Sequence, residues 1–205
     1  MVSNMNLTAR QQQILDLIGV DSDTEIWVSA NFAECHCLKS YNGVTDNLIE
    51  EKLVKSVLVL DLDVHQGDGT IDICQNHSSI YTCSVHSNES FPFDKKNGWM
   101  DIGLHAETND GEYLKTIEDT LNKMKEQVTP DIVLYDAGVD VYENDKLGNF
   151  KISLEGIHQR DTMVLDHFLN RNIAIATVIG GGYSKNVNEL AERHSIIFEK
   201  AIKFL

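Results

Sequence analysis

Four strand-like runs in this chain each end abruptly in charge or glycine. Val57 to Leu60 stops at Asp61, Ser79 to Val85 at His86, Asp131 to Tyr135 at Asp136, and Ile173 to Ile179 at Gly180. Runs of this kind are how a strand covered on both faces reads as it surfaces at its carboxyl end. Between them the apolar spacing changes period. Leu114, Ile117, Leu121, Met124 and Val128 recur at three and four, which predicts an amphipathic helix from Glu112, stopped by Pro130. Ser153 is placed to cap a helix reaching about Asn170, and Val187 to Leu205 reads as a closing helix. Shorter helices are predicted over Asn47 to Lys55 and Ile71 to Asn76, and the first 50 residues offer a helix at Ala9 to Ile18 and a strand at Glu25 to Ser29. Strands alternating with helices imply a parallel sheet with helices on both faces, an α/β fold of three layers. Ligands of such folds bind beyond the carboxyl ends of the strands.

Composition narrows the function classes. At 205 residues, 42% hydrophobic and 24% charged, with two prolines, the chain has the makings of one folded unit rather than a stapled module or a disordered tail. The formal net charge of −15 repels a nucleic-acid backbone, and the 17 Lys and Arg form no basic stretch, so no direct nucleic-acid partner is expected. A cationic substrate such as a basic peptide tail suits it better. The four cysteines, Cys35, Cys37, Cys74 and Cys83, have no disulfide or zinc-finger spacing and read as reduced thiols. Neither a secretory leader nor an 18-residue apolar span is present, so no membrane role is expected and the location expected is nucleus or cytoplasm.

The chemistry gathers at the strand ends. In Asp61-Leu-Asp63-Val-His65, alternate side chains share a face, so two carboxylates and an imidazole project together while Leu62 and Val64 pack behind them. Asp63 and His65 can offer donors to one divalent ion, zinc being the first candidate, with Asp61 deeper and placed to orient something else. A catalytic zinc wants a third protein ligand, and either Asp136 or Asp140 could supply it; Asp140, beyond Gly138 in the loop, has the better reach. Gly180-Gly181-Gly182 lets backbone approach a ligand closely, and Tyr183 beside it could present a hydroxyl to an oxyanion. His86 to Phe93 is a loop with two aromatics, a common pocket lining. An Asp-x-Asp after an apolar strand also occurs in phosphohydrolases of the haloacid dehalogenase type, with Asp61 as nucleophile, but His65 is out of place there.

Residues 57–70, 84–93, 130–148 and 179–183 together resemble the zinc-dependent histone deacetylase family, most closely its class IV and bacterial-type members, and the likeness runs from about residue 50 to 205. The resemblance implies an arginase/deacetylase-like fold and a hydrolase that removes acetyl groups from lysine side chains, with a role in chromatin regulation. It implies zinc on Asp63, His65 and Asp140, carbonyl polarisation by Tyr183, Asp61 and Asp68 behind the centre, and Phe91, Leu147 and Gly182 on the substrate path. A structural potassium ion near Asp61, Asp63, His65 and Ser84 is a further implication.

The sequence also departs from the family pattern. The G-G-x-H-H-A segment ahead of the Asp-x-Asp-x-His strand is missing, and residues 1–49, with His36 as their one histidine, read as an atypical segment before a deacetylase-like part at 50–205. The domain is therefore expected to be truncated at its N-terminal side, to self-associate through uncovered surfaces, and to have little or no activity as it stands. An inactive metal-binding remnant or interaction protein is the alternative reading.

Overall fold

The computed structural model describes Ile26–Ser29 and residues 48–204. Six parallel strands form one sheet: β1 (Ile26–Ser29), β2 (Val57–Asp61), β3 (Ile80–Ser87), β4 (Met100–Leu104), β5 (Ile132–Asp136) and β6 (Ala174–Val178), in the spatial order β1-β6-β5-β2-β3-β4. The helices are α1 (Asp68–Cys74), α2 (Asp110–Gln127), α3 (Leu154–Leu169) and α4 (Val187–Ala201), the last running into a 3-10 turn at Ile202–Phe204.

Alternation along β2 assigns the two faces of the sheet. Leu58, Leu60, Leu62 and Val64 join the large core beneath α2, α3 and α4, whereas Val59 packs with Cys74 and Ile80 on the α1 side. This is the three-layer α/β/α arrangement that the sequence pattern predicts. Each long helix buries one stripe. In α2 it is Tyr113, Ile117, Leu121 and Met124, with the Asn109 side chain accepting from the Glu112 N–H at the start. In α3, Ser153 accepts from the Gly156 N–H as expected, and in α4 the Asn186 side chain accepts from the N–H groups of Asn188 and Glu189.

Several boundaries differ from the sequence expectations, for local reasons. The helix expected over Asn47 to Lys55 is helical at residues 48–50 and then turns, with Lys52 in the left-handed region (φ 56°). α1 begins at Asp68, ahead of Ile71, because Asp68 suits a helix first turn. β3 runs on to Ser87, which puts His86 inside the strand and buried, not in the following loop. β4 carries no apolar run, since Asp101 and Ile102 are half-buried and Gly103 is exposed on an edge strand. The Glu25–Ser29 strand is present as β1 and pairs with β6. Among the described residues the sheet edges are β1 and β4. The helix expected at Ala9–Ile18 and the thiols Cys35 and Cys37 lie outside the described residues; Cys74 and Cys83 are buried.

What the fold does for function is set by register. Asp61 stands level with Asp136 on β5 and with Ser84 on β3, so β2 and β5 stop at one height and their following loops converge beside β3, which runs on to Ser87.

Candidate metal centre

The loop after β2 turns back on itself. The Asp61 side chain accepts from the Asp63 N–H (3.0 Å) and the Asp63 side chain from the His65 N–H (2.8 Å), which aims both later side chains to one side. The loop after β5 brings Asp140 to meet them. His65 Nδ1 lies 3.0 Å from Asp63 Oδ1 and 3.1 Å from Asp140 Oδ2, and the donor atoms of Asp63, His65 and Asp140 all fall within 4.8 Å of one another. The outer oxygens are held by backbone. Gly181 N–H donates to Asp63 Oδ2 (2.9 Å) and Val64 N–H to Asp140 Oδ1 (2.9 Å). Asp140 is fully buried, while the His65 and Asp63 side chains keep 24% and 15% of their exposure, so the trio is reached from one side.

Two carboxylates and an imidazole converging with their far oxygens already bonded form a donor set that fits zinc. The glycine at 181 is part of the fit: a Cβ there would run into the Asp63 and Asp140 oxygens at once. Gly181→Ala is accordingly expected to weaken zinc binding about tenfold or more, as damage to supporting contacts commonly does; a zinc titration against a competing chelator checks it.

Electrostatically, the trio holds a proton where a cation fits. Hydrogen bonding to Asp140 and Asp63 pushes the His65 pKa up to about 10. Burial and the Asp63 charge push Asp140 well above the usual carboxylate range. Burial would raise Asp63 too, but hydrogen bonds with His65 and Asp140 bring it below its ordinary value. Asp61 is raised by burial and by Asp136, and Asp136 is raised to about 7 by burial and by Asp63.

The structure decides between the two candidate third ligands. Asp136 turns back to accept from the Gly138 N–H (3.0 Å) and sits against Gly180, leaving Asp140 to complete the trio. Asp61 lies behind, facing Gly67. Asp68 is in the first turn of α1. The Ser84 hydroxyl is engaged with His86 Nδ1 (3.0 Å). Gly182 is needed for packing, since a Cβ there would meet Val139, Leu190 and His194. Phe91 and Leu147 are 62% and 58% exposed, and Phe91 meets Phe93 edge-on at 6.5 Å.

Sequence reasoning missed the residue that holds the Tyr183 segment. Asp145 Oδ2 accepts from the Tyr183 N–H (2.6 Å), its Oδ1 accepts from the N–H groups of Leu147 (3.0 Å) and Gly148 (3.2 Å), and the buried Arg193 approaches from α4 at 3.8 Å. Val139 N–H donates to Gly181 O (2.6 Å), so the glycine run is laced to the loop that bears Asp140.

The model of the histone deacetylase domain matches residues 43–197. The chain belongs to the histone deacetylase family. An uncharacterised protein of Picosynechococcus is 37% identical over 166 residues, covering 80% of this chain and 55% of that protein. Histone deacetylase 2 of Arabidopsis thaliana is 31% identical, over 65% of this chain and 35% of its own length. Among solved structures, a histone deacetylase homologue complexed with SAHA superposes with a TM-score of 0.68 at 24% identity, over 79% of this chain and 45% of that one. An acetylpolyamine aminohydrolase from Burkholderia pseudomallei gives 0.69 at 16% identity, over 89% and 53%. This deacetylase-family chain thus spans about half the length of the relatives it matches, or less, and membership sets aside the haloacid dehalogenase alternative.

Proposed function

We propose that this chain carries the zinc-binding and carbonyl-polarising part of a lysine deacetylase centre, with the acetylated lysine of a protein or peptide as substrate. The observation that carries the reading is the convergence of Asp63, His65 and Asp140 at the carboxyl ends of β2 and β5 in a domain of this family. Zinc held by those three residues would supply Lewis acidity toward an amide carbonyl.

The chain's own residues do the rest. Gly181 N–H and Val64 N–H keep Asp63 and Asp140 turned toward the centre. Tyr183 follows Gly181 by two residues with its side chain 38% exposed, and its hydroxyl is assigned to donate to the oxyanion that develops on the carbonyl. Asp145 fixes the Tyr183 backbone and the Leu147 turn together, so the donor and one rim of the substrate path move as a unit. Exposed Phe91 is the aromatic face offered to the apolar stem of an acyl-lysine. The acidic balance of the chain favours a cationic peptide around that lysine.

Binding of SAHA tests the reading without requiring turnover. The zinc-loaded chain is expected to bind it in calorimetry, the Asp63→Ala, His65→Ala double variant not to, and Tyr183→Phe to bind several-fold more weakly. Equal binding with and without zinc would reject the proposed centre.

A further inference from the structure

The stripe that α3 buries is interrupted by a charged pair. Arg160 and Asp161 sit between Ile157 and Val164 and are 0% and 1% exposed. The guanidinium reaches up to the loops that carry the proposed metal ligands. Nη1 donates to Gly138 O (2.5 Å) and lies 3.5 Å from Leu62 O, Nη2 donates to Ala137 O (3.2 Å), and Nε donates to Asp161 Oδ1 (2.8 Å). Leu62 immediately precedes Asp63; Ala137 and Gly138 precede Asp140. Leu62 O also takes the Tyr113 hydroxyl (3.3 Å), and Asp161 is oriented by the Tyr135 hydroxyl (2.6 Å).

We propose that Arg160 is a positioning residue of the metal centre, tying the β2 and β5 exit loops together from beneath so that Asp63 and Asp140 are held face to face. The inference rests on the proposed zinc centre. Its chemistry is that of a planar fork: one guanidinium satisfies carbonyls from two separate loops, which an ammonium on a flexible stem does less well. The same group brings a positive charge near Asp136, where it opposes the upward shift. Stability alone does not call for it, because a buried ion pair can often be exchanged for apolar residues of similar volume without loss of stability. What apolar residues cannot do is hold the carbonyls beside both ligands. Asp161 in turn keeps the fork in the plane those carbonyls need.

The test measures metal geometry as well as metal affinity. Arg160→Met combined with Asp161→Asn removes both charges together and leaves Tyr135 an acceptor. This variant is expected to bind zinc about 10- to 100-fold more weakly than the unaltered chain, and its cobalt-loaded form to show a changed visible spectrum. Arg160→Lys should fall between the two and is the variant read if the double variant does not fold. A merely structural role would lower the melting temperature and leave zinc affinity and the cobalt spectrum as they are, and that result overturns the proposal. If the unaltered chain binds cobalt no better than Asp63→Ala, His65→Ala does, the metal centre itself falls and the proposal with it. If only the Arg160 variants match the unaltered chain, the centre stands and the role given to Arg160 does not.

Discussion

Zinc at a thousandfold excess over its dissociation constant at pH 6 is expected to raise the melting temperature of the metal-free chain by roughly 10 °C, and the same zinc concentration by more at pH 8. A ligand at that excess adds about 4 kcal/mol to stability, and for a chain of this size each kcal/mol is worth about 2–4 °C. The pH trend follows from the protons the metal-free centre holds. Asp136 is raised to about 7 and Asp61 and Asp140 well above their ordinary value, so between about pH 4 and 7 the folded chain keeps protons that the unfolded chain has released. Their contribution to stability is therefore lost as pH rises through that window. His65 acts in the same sense: raised from 6.5 to about 10, its contribution is whole below 6.5 and lost as pH climbs through 10. Both effects weaken the metal-free form at higher pH and remove the proton competing for the ligands, so the increment due to zinc grows. Burial pushes His86, His167 and His194 down to about 4, which costs stability as pH falls from 6.5 toward 4. That loss is common to both forms and drops out of the difference. Scanning calorimetry at several pH values, with and without zinc, checks the prediction; a shift that survives in Asp63→Ala, His65→Ala would place the metal elsewhere.

Turnover of an acetyl-lysine peptide by the zinc-loaded chain alone is expected to lie 10²- to 10⁴-fold below that of the same chain fused at about residue 50 to a family-type front half, the range that a positioned acid or base contributes. Amide hydrolysis needs a base for the attacking water and an acid for the departing amine, and this sequence contains no adjacent histidine pair. Five of the histidines among the described residues are otherwise engaged or remote. His65 belongs to the proposed ligand set, His86 is buried beside Ser84, His105 pairs with Glu89 at the surface, and His158 and His167 line a groove between α2 and α3. Asp61 and Asp136 are turned away into backbone hydrogen bonds. Steady-state rates for the two proteins, each with Tyr183→Phe as control, give the comparison. Comparable rates, lost in the short chain on Tyr183→Phe, would mean that a base is at work here. His194, whose Nε2 stands behind Gly182, is then the first residue to replace.

Much of the fold was legible because its signals are local. The strands of β2, β5 and β6 announce themselves as apolar runs since they are covered on both faces, and the Ser153 cap of α3 is written in one residue, whereas the Asn109 cap starts α2 two residues ahead of the Glu112 expected. β4 was not legible because an edge strand buries little, and its pairing partner β3 supplies what its own sequence does not. Arg160 and Asp161 left a faint signal, two charges in the middle of an otherwise apolar stripe, but a helical pattern alone does not tell what such a pair bonds to.

By itself the sequence determined the strand-end placement of the chemistry, because an apolar run that stops at charge marks where a covered strand surfaces; the meeting of Asp63 and His65 comes instead from the turn after Asp61, where β2 ends. Only the tertiary structure decided that Asp140 rather than Asp136 meets them, that Gly181 N–H and Val64 N–H hold the outer oxygens, and that one guanidinium spans both exit loops. Those are contacts between residues 22 to 118 positions apart, and no local propensity reports the register that aligns β2 with β5 or the path of the loops above them.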